Sequence, residues 1–164
     1  MAGWTSIFTF FGSAVGILTG LFVVWDRFYK HAPSLFLVAK PLIEGGKQRK
    51  AFLRLVNNSE RPLIASWPNG SEDNVMRVAT NDGIRGIVAS IVRGETSVVL
   101  DGKDDRLFPV LKPPNWDDLS DDGTIEINVR WRFVQPLIWK RDRSTTVRID
   151  KRSLKLLEDE ADLE

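Results

Sequence analysis

The chain has 164 residues, with 23 Lys and Arg against 22 Asp and Glu, one His and no Cys. Without cysteine there are no disulfides, thiolate nucleophiles or cysteine-ligated zinc sites, and one histidine leaves multi-histidine metal centres short of ligands. The near balance of charge also lacks the basic surplus on which nucleic-acid binding rests, so nucleic acid is not an expected partner.

Residues 1–25 carry no charged side chain, and residues 7–25 are almost continuously apolar before Asp26 and Arg27 end the run. A helix rising about 1.5 Å per residue needs about 20 apolar residues to cross the hydrocarbon of a bilayer, so the run reads as a single transmembrane helix. Trp4 and Trp25 bracket it at roughly 32 Å, which suits an indole at each interface, with Arg27 and Lys30 just beyond. Ser6, Thr9, Ser13 and Thr19 are tolerable there, since a hydroxyl bonds back to a carbonyl one turn earlier. A cleaved signal peptide fits less well, because no basic residue precedes the run and Trp25-Asp26-Arg27-Phe28 is a poor cleavage sequence. The basic residues Arg27, Lys30, Lys40, Lys47, Arg49, Lys50 and Arg54 all follow it, so the expected topology puts the N-terminus outside and the domain in the cytoplasm. Gly12, Gly16 and Gly20 recur at helical spacing and offer a face for close approach of another membrane helix or of a second copy.

The expected organisation is an anchor over 1–27, a juxtamembrane linker over 28–33, one domain over 34–150 and an acidic amphipathic helix or tail over 151–164. Within the domain the dominant period is two, the mark of half-buried strands. The clearest case is 124–133, where Ile125, Ile127, Val129, Trp131 and Phe133 alternate with Glu126, Asn128, Arg130 and Arg132. Further strands are expected over 35–40, 51–57, 63–67, 75–79, 84–92, 97–100, 107–111, 137–140 and 145–149. Turn chemistry separates them at Gly45-Gly46, Asn57-Asn58-Ser59, Asn69-Gly70, Asp82-Gly83, Gly94 and Gly102. Short strands joined this way point to a mainly β fold, two antiparallel sheets packed as an immunoglobulin-like β-sandwich, with a short C-terminal helix for which Asp150 is the candidate N-cap. The segments around Leu53-Arg54-Leu55-Val56 and Arg93-Gly94-Glu95-Thr96 resemble the strand-turn-strand units of such domains. That resemblance is architectural and implies no activity.

Few residues point to catalysis. The lone His31 lies beside the expected membrane boundary and reads as a solvated or interfacial histidine, and Gly102-Lys103 lacks both the preceding loop and the following hydroxyl of a phosphate-binding loop. The acidic loop Asp117-Asp118-Leu119-Ser120-Asp121-Asp122-Gly123 has the oxygen ligands that calcium takes. Counted from Asp118, however, its twelfth position is Val129, where a bidentate Glu is required. No metal, no cofactor and no catalytic residue are therefore assigned. A basic and aromatic group, Arg130, Arg132, Lys140, Arg141 and Arg143 near Trp131 and Trp139, is a candidate partner surface if 124–133 and 137–149 pair as a hairpin. Two glycosylation sequons, Asn57-Asn58-Ser59 and Asn69-Gly70-Ser71, fall at turns and matter only in a secretory lumen.

The resulting expectation is a non-enzymatic, single-pass membrane protein whose sandwich is an interaction or scaffolding module, an accessory subunit of a larger membrane complex. The alternatives are an extracytoplasmic binding domain on an uncleaved signal anchor and, behind it, a metal-dependent enzyme using the acidic loop.

Overall fold

The computed structural model describes residues 2–28, 32–41, 49–69, 72–81, 83–92, 95–134 and 142–159. The chain forms two compact units, Met1–Ala32 and Pro33–Glu164.

The first unit is the helix α1, Ala2–Phe28, whose only charged residues are Asp26 and Arg27. Thr19 Oγ1 donates to the Val15 carbonyl at 2.8 Å, the back-bond expected of a hydroxyl in an apolar helix. The expectation of a bilayer-spanning helix is corrected here: among the described residues, no helix is long and apolar enough to cross a membrane.

The second unit is mainly β. One antiparallel sheet has the order β1 (Ser34–Pro41), β2 (Arg49–Val56), β6 (Asp105–Leu111), β4 (Arg77–Val78), and the other β5 (Glu95–Leu100), β3 (Leu63–Pro68), β7 (Thr124–Phe133), β8 (Arg143–Asp150). Period-two patterning decides which faces meet. Leu53, Leu55, Phe108 and Val110 of the first sheet, and Leu63, Ala65, Trp67, Ile125, Ile127, Val129 and Trp131 of the second, are buried between the layers. Trp67 reaches across to Phe108 at 5.1 Å between ring centroids.

Trp67 also organises β4, an edge strand of two residues. Its Nε1 donates to the Val78 carbonyl at 2.7 Å, and Asn69 Oδ1 accepts the Val78 N–H at 3.1 Å. Both backbone groups of Val78 are thus satisfied by side chains from the opposite sheet, which compensates for the little pairing that so short a strand makes.

Two expectations change. Residues 84–92 form a helix, α2 (Ile84–Val92), and not a strand. Their β-branched content favours a strand, yet Ile84, Ile87, Val88 and Ile91 fall at i, i+3, i+4 and i+7, and the helical period wins. The Ile87 N–H bonds the Gly83 carbonyl, and Asn81 Oδ1 accepts the Gly83 N–H at 3.1 Å just before the helix. Gly86 lies close against the Asn81 side chain, which a Cβ there would push aside. Residues 75–79 shrink to β4 and a parallel bridge between Val75 and Glu126. The strand expected over 137–140 lies outside the described residues, although β7 and β8 do pair antiparallel from Thr124↔Asp150 to Trp131↔Arg143.

The helix α3 (Lys151–Asp159) follows β8 directly, with Asp150 as its cap: Oδ1 accepts the Ser153 N–H at 2.6 Å and Oδ2 accepts its hydroxyl at 2.8 Å. Leu154 is buried beneath it. Glu158 accepts the Ala51 N–H at 3.3 Å, next to the point where the β2–β6 register ends at Pro109. The Ser153 bonds hold the Asp150 carboxyl below its ordinary range, and the Lys155 ammonium, 2.7 Å away, does the same for Asp121. Folded chains therefore bind fewer protons at these groups than unfolded ones do. Their contribution is complete above the ordinary carboxylate range, near pH 4, and is lost as pH falls through the lowered values. Asp150→Ala is expected to lower Tm by a few degrees at pH 7 and to flatten the acid limb below about pH 4, read by circular dichroism melts across pH.

Candidate functional site

The structure sorts the basic group into two faces. Arg130 and Arg132 point outward from β7, while Arg143 stands on the inward row opposite Trp131, with its guanidinium 5.1 Å from that ring. Trp131 is buried, as its place in the apolar alternation requires, and its Nε1 donates to Thr145 Oγ1 at 3.2 Å. Arg132 lies 3.6 Å from Asp142. Arg130 is exposed on a rung shared by Ser97, Ser66 and Ser144 across all four strands, and has no ion pair among the described residues. Lys140, Arg141, His31 and Lys30 lie outside the described residues, and the side chains of Trp4 and Arg27 do too.

On α1, a Cβ built at Gly12, Gly16 or Gly20 meets nothing within 4 Å. Large apolar side chains dominate the rest of the helix, from 49% exposed at Val23 to 68% at Phe22, and Trp25 is 61% exposed.

The acidic loop is committed to holding α3. The Gly123 and Asp121 carbonyls accept the N–H groups of Lys151 and Arg152, and Asp121 pairs with Lys155. The buried Lys151 ammonium donates to the carbonyls of Trp116 and Leu119 at 2.7 Å each and lies 5.2 Å from the Trp116 ring centroid. No group of three or more metal-ligating side chains occurs among the described residues.

Both sequon asparagines are structural. Asn57 is fully buried: its Nδ2 donates to the Arg61 carbonyl at 2.8 Å and the Asp101 carbonyl at 2.7 Å, and its Oδ1 accepts from the Ser59 N–H and hydroxyl. It thereby ties the β2–β3 turn to the β5–β6 turn. Asn69, 3% exposed, donates from Nδ2 to Thr96 Oγ1 at 2.7 Å.

One cleft, of about 480 Å³, lies on the solvent side of the first sheet. Phe52, Leu107 and Pro109 form its floor, the α2 residue Ile87 and the preceding Thr80 and Asn81 its wall, and Lys40 and Lys50 its mouth. Lys40 and Lys50 are register partners on β1 and β2. Sequence reasoning used them only as juxtamembrane charge. The signal that pairs them is their equal distance from Gly45 in the Gly45-Gly46 turn, which sets them opposite once the flanking strands close.

No protein-family model matches the chain, and neither a curated protein nor a solved structure is significantly similar to it.

Proposed function

We propose that this chain is a membrane-anchored interaction module: α1 holds it to a membrane assembly through its apolar side chains, and the β unit serves as an adaptor or accessory subunit within that assembly. The observation that carries this reading is the exposure of Phe11, Val15, Ile17, Leu18, Leu21, Phe22, Val23, Val24 and Trp25 on one helix with no charged face. Such a helix needs an apolar medium on nearly every side, and one aqueous partner surface covers one side only. The face bearing Gly12, Gly16 and Gly20 is where a second helix approaches, and the outward Arg130 and Arg132 are the surface for an acidic partner. Tethering in the plane of a membrane raises local concentration, so a modest interface suffices.

The β unit is read as immunoglobulin-like. Its order β1-β2-β6-β4 against β3-β7-β8 follows the constant-type arrangement, and Trp67 stands on the third strand where such domains keep their buried tryptophan. β5 extends the second sheet beside β3.

A cytoplasmic domain is supported by the two sequons. Sugar on Asn57 would replace one of the two amide hydrogens that bond the Arg61 and Asp101 carbonyls, and sugar on Asn69 would have to fit where that side chain is buried, so both modifications oppose this fold. Such a sequence suits a compartment without the modifying enzyme.

Fractionation tests the reading. The full chain is expected in the membrane pellet, retained through alkaline carbonate and released by detergent. Val15→Asp with Leu18→Asp should shift it to the supernatant, because a carboxylate without a partner is costly to place in an apolar medium. A parent chain found in the carbonate supernatant overturns the proposal.

A further inference from the structure

We propose that the cleft beside α2 binds a phosphate-headed amphiphile, with the phosphate held by Lys40 and Lys50 and the chain lying on Phe52, Leu107 and Ile87. The β1–β2 register sets the two lysines directly opposite one another on one face. Like charges so placed are destabilising, and neither lysine has an ion pair among the described residues. The contrast lies on the same face of the same sheet, where Arg54 is matched by Asp105 through bonds of 2.6 to 3.1 Å. Among the described residues a carboxylate matches that cation and none matches the lysine pair, which leaves the balancing negative charge to a ligand.

The rest of the lining fits the two halves of such a molecule. The Asn81 oxygen is taken by the Gly83 N–H, so its amide nitrogen remains a donor, and the Thr80 hydroxyl stands beside it. Two ammonium groups, an amide and a hydroxyl match the several oxygens of a phosphate better than the two of a carboxylate. The floor lies on the face of the sheet turned away from the core, where an antiparallel sheet ordinarily carries polar side chains. Here it carries Phe52, Leu107 and Pro109. A volume of about 480 Å³ is in the range of small-molecule sites. Val88, Ile91 and Val92 continue as exposed apolar side chains along α2. The site belongs to the β unit, so it stands or falls independently of how α1 is held.

The test is a titration of the full chain in neutral detergent micelles, following the amide resonances of Thr80, Asn81 and Ile87 by NMR. The probes are dioctanoyl phosphatidic acid, glycerol 3-phosphate and dioctanoyl phosphatidylcholine. Saturable shifts are expected with phosphatidic acid and weaker ones with the zwitterionic lipid. K40Q/K50Q should weaken phosphatidic acid at least about tenfold, while Lys103→Gln leaves it unchanged. Saturation by phosphatidic acid but not by glycerol phosphate shows that the chain contributes; matching saturation by glycerol phosphate, which has no chain to lie on the floor, overturns the amphiphile. Because the double variant removes opposed charges, its Tm should equal or exceed the parent's, whereas lysines with a merely structural role would leave it less stable. Lys50→Gln alone serves should the double variant not fold. Shifts with none of the probes, or unchanged affinity in the lysine variants, overturn the proposal.

Discussion

Trp67→Ala is expected to lower the unfolding free energy by about 3–5 kcal/mol, the range for removing a large buried aromatic side chain. The residue is 1% exposed, packs on Phe108 across the sandwich and donates its indole N–H to Val78. Truncation removes three things together: apolar burial, the inter-sheet ring contact and the partner of a buried carbonyl. Trp67→Phe separates them, since it keeps a ring but leaves the Val78 oxygen without its donor, and about 1–3 kcal/mol is expected from that loss alone. Denaturant titration of both variants checks the split. Loss of the polar clamp should also raise hydrogen exchange at the Val78 amide, which Asn69 protects from the other side.

Asn57→Ala is expected to destabilise by about 3–5 kcal/mol as well, through unmade hydrogen bonds with little loss of packing. The Arg61 and Asp101 carbonyls lose a donor, and the Ser59 N–H and hydroxyl lose an acceptor. The two turns that Asn57 joins also touch through the Lys103 N–H on the Ser59 carbonyl and the Lys103 ammonium on the Asn58 carbonyl, so they are held less tightly but not released. Asn57→Asp is the sharper probe. It preserves shape and the acceptor while replacing the donor by a buried carboxyl, so a loss comparable to that of alanine assigns the effect to the amide N–H groups. Thermal melting should show a drop on the order of 10 °C for either variant.

The strands were largely legible because their alternation encodes burial directly. Residues 124–133 read inward and outward in the sequence as they do in β7, and Trp131 fell on the buried side by register alone. Asp150 was legible as a cap because a carboxylate before an apolar, helix-periodic run has one obvious local partner. α2 was missed where two signals conflict: its β-branched residues argue for a strand while their spacing argues for a helix, and contact with β4 favours the latter. The lysine cleft was hidden for a different reason. Its lining comes from β1, β2, β6 and the segment around α2, which only the strand order brings together. Both sequons showed their residues but not their burial, since a turn asparagine reads the same whether its amide faces water or two carbonyls.

The brevity of β4 bears on how this chain fails as well as how it stands. Two residues, fastened by one indole and one carboxamide, are what lie alongside the outer rim of β6 near Val110 and Leu111. Pro109, having no N–H to offer, blunts that rim at one further position. If the fastening slips, the uncovered rim becomes a docking line for strands of neighbouring molecules, so variants at Trp67 should be recognised by concentration-dependent assembly before they are recognised by melting.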